Sequence, residues 1–189
     1  MKRKVIWSNL TATGFEHLHL SCRDDEIFAD GVVLGVEQDI AFRIRYEVRC
    51  DAQWRVRELV VSSLDENEQT IQLTADGLGH WTNESGAAIP EIEGCFDVDI
   101  SVTPFTNTLP IRRLALQVGE SSELKVAYVK IPEMQVSLER QRYTCLERND
   151  AGSKYKFESL DGEFTAVLSV DADGLVQDYP DLFKRVWAR

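Results

Sequence analysis

The sequence lacks the cysteine and histidine patterns of zinc proteins. It has four cysteines and three histidines in 189 residues. The cysteines are widely separated and form no C-x-x-C pair, which disfavours a zinc ribbon. We therefore expect four free thiols, at Cys22, Cys50, Cys95 and Cys145, in a reducing compartment.

Long apolar runs are also missing. Near the start, only Val5, Ile6 and Trp7 are apolar in succession, whereas a signal peptide needs roughly 7–15 apolar residues. No stretch approaches the roughly 20 apolar residues of a membrane span. The sequence therefore predicts a cytoplasmic protein without a transmembrane segment.

Positive charge is scarce. Twenty-one basic residues against 32 acidic ones give a net charge of −11, which disfavours nucleic acid as a partner because phosphate binding needs an excess of basic residues. Hydrophobic residues make up 43 % of the chain, a normal value for a globular protein with a core. We expect one domain over residues 1–189.

Alternation of apolar and polar residues is the main pattern present. In segment 40–50 every second residue is apolar, from Ile40 to Cys50, and most residues between them are charged, as in a half-buried strand. Shorter segments of this kind recur along the chain, at 3–8, 15–22, 32–36, 54–64, 68–75, 96–103, 124–132, 134–138, 141–147, 153–160, 163–170 and 175–179.

The turns between these segments contain Asp-Gly pairs, which suit two-residue hairpins. Helical turns are expected only near 106–114 and 180–185. The pattern predicts an all-β protein: a single antiparallel sheet, curled into a roll or barrel-like form, with at most one or two short helical turns.

The least generic stretch runs from residue 94 to 114, GCFDVDISVTPFTNTLPIRRL. Asp97 and Asp99 share one face of its strand, roughly 7 Å apart. They could hold a divalent metal or form a general acid–base pair. The alternative, which we favour, is that they accept hydrogen bonds from Arg112, Arg113 or loop amides and hold the connection between Pro104 and Pro110 in place.

Arginines concentrate on two neighbouring strands, at positions 43, 45, 49, 55 and 57. They could form a solvated face paired with nearby acids. They could instead bind an anionic or sugar headgroup, because arginine matches phosphate and carboxylate geometry. Trp81, in a glycine-containing stretch that forms either a loop or a weak strand, is either a hydrophobic plug or a residue that stacks on a ligand.

Patterns of catalysis and metal binding are weak. His17 and His19 share a strand face and could hold a metal with Glu16, Asp24, Asp25 or His80, but surface histidines are the favoured interpretation. No G-x-S-x-G, phosphate loop, dinucleotide fingerprint or H-E-x-x-H occurs. We expect no cofactor and no metal.

Several motifs together resemble those of a known family. They are GCFDVD at 94–99, TPFTNTLPIR at 103–112, Asp173–Pro180 near the end, GFEH at 14–17 and Tyr46…Asp51…Trp54. With them the whole chain resembles the bacterial family called putative glycolipid-binding. The resemblance implies a spiral β-roll and, through the fold's similarity to lipoprotein carriers, a lipid or glycolipid ligand.

The leading hypothesis is a binding module that holds a lipid or glycolipid in an apolar cavity, since ligand pockets combine aromatic walls with a few polar groups. Its predicted ligand-binding residues are Arg43, Arg45, Tyr46, Trp54, Trp81, Asp97, Asp99, Asn107, Arg112 and Tyr128. One alternative is a hydrolase-like enzyme using Asp97 and Asp99, with Arg112 and His17. Another is a protein-interaction module that docks through a sheet edge or through the C-terminal tail at 180–189.

Overall fold

The computed structural model describes residues 1–23, 25–65 and 69–189. Two predicted positions, the possible metal ligand Asp24 and the strand residue Glu68, lie outside the described residues. The described residues form fourteen strands of one sheet: Lys2–Asn9 (β1), Gly14–Arg23 (β2), Glu26–Glu37 (β3), Ile40–Asp51 (β4), Val56–Ser63 (β5), Thr70–Ala75 (β6), Trp81–Asn83 (β7), Asp97–Ile100 (β8), Ser121–Lys130 (β9), Gln135–Asn149 (β10), Gly152–Ser159 (β11), Thr165–Asp171 (β12), Val176–Tyr179 (β13) and Phe183–Ala188 (β14).

Helical structure in the described part of the chain is short. One α-helix, Thr108–Leu114 (α1), follows the 3₁₀ turn Phe105–Asn107, and a second 3₁₀ turn spans Pro90–Ile92. No helix in these ranges has the length and apolar character needed to cross a membrane. The expected turn at 106–114 is confirmed. The expected turn at 180–185 is wrong, because Phe183–Ala188 extends as β14 and pairs with β1.

The strand order places the first and last strands side by side. It runs β7-β6-β5-β4-β3-β2-β1-β14-β13-β12-β11-β10-β9-β8. Neighbouring strands are antiparallel except β8 and β9, which are parallel. That exception follows from the connection: residues 101–120 contain α1 and are long enough for the crossover that a parallel pair requires. The predicted antiparallel sheet is otherwise confirmed.

The sheet is curled. Thirteen strand spacings separate its two edges, so a flat sheet would place them roughly 60 Å apart. Yet the Val56 amide of β5 donates to the Phe96 carbonyl just before β8, at 3.2 Å. The indole Nε1–H of Trp81 on β7 also donates to the Cys95 carbonyl, at 2.9 Å. These bonds join the two ends of the sheet across its inner face.

Alternation along the strands builds the core, as predicted. In β4 the side chains of Phe42, Ile44 and Tyr46 are buried while those of Arg43 and Arg45 are exposed. The cysteines are free thiols, and three of them, at 50, 95 and 145, are buried. One core cluster is dominated by β1 to β9 and a second by β10 to β14.

Two local predictions need correction. The segments 134–138 and 141–147 are parts of one strand, β10, which continues through residues 139 and 140. The turns at Asp76-Gly77, Asp161-Gly162 and Asp173-Gly174 are all longer than two-residue hairpins. Asp171 begins the last of them, accepting hydrogen bonds at Oδ1 from the amides of Asp173 and Leu175, both at 3.0 Å. Gly174 takes the positive φ of 82° at its fourth position.

Candidate functional site

A cavity of about 280 Å³ opens on the inner face of the sheet, where β8 to β11 meet Phe164 and the turn between β13 and β14. Strand alternation supplies its walls, because every second residue of β10 and β11 points inward. Five aromatic side chains line it, from Tyr128, Phe157, Phe164, Tyr179 and Phe183. Its polar lining includes side chains of Asp99, Asn107, Glu139 and Gln141.

The aromatic wall is a continuous cluster of rings. The ring of Phe157 lies 6.1 Å from that of Phe164 and 6.3 Å from that of Tyr179. Tyr179 in turn lies 6.1 Å from Phe183. Phe164 is 41 % exposed, whereas its three neighbours are buried. The wall therefore consists of three buried rings and one ring, that of Phe164, that solvent reaches.

Asp99 is the best-fixed polar group of the cavity. Its Oδ1 accepts a hydrogen bond from the Thr106 hydroxyl and its Oδ2 accepts one from the Gln141 amide, both at 2.7 Å. Burial raises the pKa of Asp99 above its usual value, and these two donors partly oppose that rise. The carboxylate is thus held in one orientation at the cavity wall.

Asn107 and Glu139 differ in how they are held. Asn107 Oδ1 accepts from the Tyr143 hydroxyl at 2.8 Å, and its Nδ2 donates to the Pro104 carbonyl at 3.3 Å. Glu139 makes no hydrogen bond or ion pair with another side chain in the described part of the chain. Its pKa is raised by burial first and by the nearby charges of Asp99 and Asp161 second.

Three of the ten sequence-predicted ligand-binding residues, Asp99, Asn107 and Tyr128, line this cavity. Arg43 and Arg45 do not. They lie on the outer face of β4, where the guanidinium Nε of Arg45 is 3.0 Å from Asp30 and that of Arg43 is 3.5 Å from Asp65. The geometry matches the solvated, paired face that the sequence left as one of two alternatives.

The predicted aromatic residues outside the cavity are core residues. Trp81 is 2 % exposed and plugs the space between β7 and residue 95. The Tyr46 ring stacks on Phe105 at 6.0 Å, and its hydroxyl donates to Glu16. Trp54 is buried under the guanidinium of Arg112, which lies 5.1 Å from its ring. Trp54 and Arg112 therefore bind each other.

Asp97 is fully buried and paired with α1. Both its oxygens accept from the Arg113 Nε at 3.1 Å. The two carboxylates of β8 thus hold the segment that follows the strand, Asp97 through Arg113 and Asp99 through Thr106. The enzyme hypothesis required Asp97, Asp99, Arg112 and His17 to converge. Of these four, only Asp99 lines the cavity.

The remaining sequence candidates are on the surface or in the sheet. His17 and His19 lie on the outer face of β2 with their Nε2 atoms 3.2 Å apart. Among the described residues, no three His, Cys, Asp or Glu side chains group as metal ligands would. The tail at 183–189 is not free to dock, because β14 pairs with both β1 and β13.

The sequence reasoning missed most of the cavity. The missed lining residues with the largest or most polar side chains are Glu139, Gln141, Phe157, Phe164, Tyr179 and Phe183. One pattern could have found two of them. If the two predicted segments are treated as one continuous strand, alternation places Glu139 and Gln141 on the same face as the buried Tyr143. Polar residues on an inward face indicate a binding site or a buried hydrogen-bond network.

A second, larger cleft of about 440 Å³ contains none of the ten predicted residues. Leu114, Leu124 and Leu160 line it together with the side chains of Lys125 and Arg140. Arg140 is already paired with Asp161, at 2.7 Å. This cleft is more basic than the aromatic cavity.

The fold and the cavity together define a class: a barrel-like protein made of one open, curled sheet with a ligand-sized cavity inside. A β-barrel-like protein of the DUF1849 domain from Brucella abortus has a similar fold. Its TM-score is 0.60 at 11 % sequence identity, with 99 % of this chain and 96 % of that chain covered.

A sequence model described as "Putative glycolipid-binding" matches residues 4–185, and the chain belongs to that family. This confirms the resemblance found in the sequence. The solved structure of a DUF1089 family protein from Pseudomonas aeruginosa is 38 % identical and has a TM-score of 0.81, with 92 % of each chain covered. No curated protein matches the chain.

Proposed function

We propose that the protein binds a glycolipid and that the aromatic cavity holds the glycosyl headgroup. The observation that carries the proposal is one cavity in which a wall of rings meets a set of hydrogen-bond acceptors. Sites for small molecules typically combine apolar and aromatic walls with a few convergent polar groups. The family's description supports the same class of ligand.

The chemistry of the walls suits a sugar. A sugar ring presents C–H groups on its faces and hydroxyls at its rim. Rings such as Phe164 and Tyr179 can pack against the faces, and the oxygens of Asp99, Glu139 and Asn107 can accept hydrogen bonds from the hydroxyls. A site that pairs each hydroxyl excludes analogues that lack it, because its own polar groups would then stay unpaired.

Cavity size limits what is held inside. About 280 Å³ lies just below the range of roughly 300–1,000 Å³ for sites that enclose drug-sized ligands. The cavity therefore takes a headgroup, and the acyl chains lie outside it. This differs from the sequence-based hypothesis, in which an apolar cavity held the lipid or glycolipid itself.

The first test is native mass spectrometry of the protein purified from its own host, followed by solvent extraction. We expect a co-purifying glycolipid in near-stoichiometric amount. In parallel, calorimetric titration with octyl glucoside below its micellar concentration should show one binding site. Absence of both the extracted lipid and the calorimetric signal would contradict the proposal.

Two matched variants locate the binding site. Phe164→Ala removes the exposed ring of the aromatic wall, and we expect roughly tenfold weaker octyl glucoside binding from the lost ring contact. Phe15→Ala removes a ring that is similarly exposed, at 51 % against 41 %, but lies on β2 outside the cavity. That variant should bind like the wild type. Equal affinity in both variants would place the ligand elsewhere.

A further inference from the structure

We propose that the headgroup bound in the aromatic cavity carries a positive charge, as an amino sugar with a free amine does. This inference rests on the proposed function and names the chemical class of its ligand. It rests on three observations: the acidic lining of the cavity, the lack of a basic partner for its carboxylates in the described structure, and the aromatic rings beside them.

The described lining of the cavity is acidic. It contains the carboxyl groups of Asp99 and Glu139 and no lysine, arginine or histidine. An anionic headgroup, such as a phosphate or sulfate, would meet two like charges there and no counter-charge. Like charges brought together in a partly desolvated site repel strongly. The cavity therefore disfavours anions.

Strand alternation explains why no base reaches the cavity. On β10, Glu139 and Gln141 point inward, so Arg140 and Arg142 point outward, where they pair with Asp161 and Glu123. The neighbouring strands repeat this arrangement, with outward pairs Lys156–Glu158 and Lys184–Asp178. Each nearby base thus has an acidic partner on the outer face, and the inner carboxylates have none.

The two carboxylates differ in their remaining capacity. Asp99 is already fixed by Thr106 and Gln141. Glu139 has no side-chain partner in the described part of the chain, so it can turn to a ligand. Burial raises the pKa of both groups, and the charge of Asp99 raises that of Glu139 further. A bound cation would supply the missing counter-charge to both.

The rings favour the same class of ligand. The face of an aromatic ring carries negative electrostatic potential and attracts ammonium groups. The linked rings of Phe157, Phe164, Tyr179 and Phe183 lie in the same cavity as the two carboxylates. A protonated amine would therefore meet negative potential from both walls. A neutral hydroxyl at the same place would gain only a hydrogen bond.

The test compares three octyl glycosides that differ only at carbon 2 of the sugar. They are the glucoside, the 2-amino-2-deoxyglucoside and its N-acetyl derivative, each titrated by calorimetry at pH 7 below its micellar concentration. We expect the free amine to bind at least tenfold more tightly than the other two. N-acetylation removes the charge while keeping a polar group, so it should abolish the gain.

Two variants with the same change in net charge complete the test. Glu139→Gln should lower affinity for the amino sugar at least fivefold and leave affinity for the neutral glucoside nearly unchanged. Glu91→Gln, at an exposed position outside the cavity, should alter neither.

Binding of the glucoside with no gain for the amine would overturn this inference and leave the proposed function standing. Full amine preference in Glu139→Gln would overturn the role of that residue. Binding of none of the three glycosides would overturn this inference, and together with the absence of an extracted glycolipid it would overturn the proposed function as well.

Discussion

The two most buried carboxyl groups are compensated in different ways. Asp97 is fully buried and meets the guanidinium of Arg113. Glu16 is 2 % exposed and has no charged partner of that kind. Its Oε1 accepts from the Tyr46 hydroxyl, and its Oε2 has no hydrogen-bond partner in the described structure. Asp97 can therefore stay ionised in the core, whereas Glu16 is stabilised by protonation.

The Glu16→Gln variant should change how stability depends on pH. Burial raises the pKa of Glu16 from 4.5 to about 7. The folded state therefore keeps a proton that the unfolded chain releases, and the wild type loses stability as the pH rises from about 4.5 to about 7. The variant cannot ionise at this position, so its free energy of unfolding should fall less over the same pH range. The difference from the wild type should be on the order of 3 kcal/mol.

Urea unfolding at pH 4.5, 6 and 8 measures this difference. The buried amide that the substitution introduces adds a cost that is the same at every pH, so only the slope matters. Tyr46 does not interfere, because its pKa is raised well above its normal value. Glu91→Gln, at an exposed site, serves as the control and should keep the wild-type slope. Parallel curves for Glu16→Gln and wild type would refute the assignment.

Arg113→Met should be strongly destabilising. It leaves Asp97 buried without its charged partner, and breaking a buried pair in this way costs about 3–5 kcal/mol. The double variant Asp97→Asn/Arg113→Met removes both charges and should recover most of that loss. Chemical denaturation of the single and double variants gives the coupling. A double variant as unstable as the single one would show that packing, and not charge, is what Arg113 provides.

At the scale of the element, one turn design occurs four times in the described ranges of the chain. An Asp or Asn side chain at the first position accepts hydrogen bonds from the amides of the third and fifth residues, beginning at Asp51, Asp76, Asn83 and Asp171. The fourth residue has positive φ in every case. It is glycine in three turns and Trp54, with φ of 64°, in the other.

The turn at Asn83 offers the cleanest test of this design, because its residues are exposed. Asn83→Ala removes the acceptor for the amides of Ser85 and Ala87, at 3.1 and 3.0 Å. We expect a loss of about 1 kcal/mol in the free energy of unfolding. Asn83→Asp keeps the acceptor that the other three turns use and should be close to wild type. A loss of similar size in both variants would indicate that the side-chain acceptor is not what matters.

A glycine inside a strand has a different role from those in the turns. Gly31 of β3 pairs with Tyr46 of β4, and the Tyr46 ring crosses over it to reach Glu16 on β2. A Cβ atom at position 31 would overlap that ring. Gly31→Ala should therefore destabilise the protein by roughly 1–3 kcal/mol through overpacking.

The control for Gly31→Ala is the same change in a Tyr46→Ala background. With the ring gone, the added methyl group should cost little beyond the loss caused by Tyr46→Ala itself. Thermal unfolding of the four proteins gives the coupling between the two positions. Additive losses would mean that the ring and the glycine do not act together.

The sequence predicted strands well and the site poorly, for a physical reason. Alternation is local, so the faces of β2 and β4 could be assigned from neighbouring residues alone. The side chains of the cavity instead come from β8 to β11 and from the segment leading into β14. These parts of the chain are close in space only because the sheet is curled. Asp99 and Asn107 were found because they lie in the unusual central segment, and Tyr128 because it is an aromatic residue on a predicted strand. Phe164 and Glu139 lie in ordinary strands and loops, where nothing local distinguishes them.

On the scale of the whole molecule, the sheet consists of two halves that meet where the first and last strands pair. The first contains β1 to β7 and the second β8 to β14, and β1 pairs with β14 between them. Backbone hydrogen bonds of 2.9 Å run both ways between Lys4 and Arg189. Residues 1 and 189 are consequently neighbours in space, separated by about three residues of strand, or roughly 10 Å.

A circular permutant should therefore fold. Residue 189 is joined to residue 1 by a short Gly/Ser linker, and the chain is opened between Ser85 and Gly86, which are exposed beside the edge strand β7. We expect the same circular dichroism spectrum and a resistance to urea close to that of the wild type, because the linker lowers the entropy cost of pairing β1 with β14 and so offsets the opening of the turn at Asn83. A linear chain carrying the same linker after residue 189 is the control. An unfolded permutant beside a folded control would refute this account of the joint.

The central position of β14 also sets when the protein can fold during synthesis. A ribosome adds about 5–20 residues per second, and β14 is the last strand in chain order to emerge. Until then β1 and β13 each present an unpaired edge, of the kind that invites aggregation. The pairing of β1 with β14 that joins the two halves can form only after translation has passed residue 188. A product terminated before that point keeps both edges open, which marks it for chaperones and proteases.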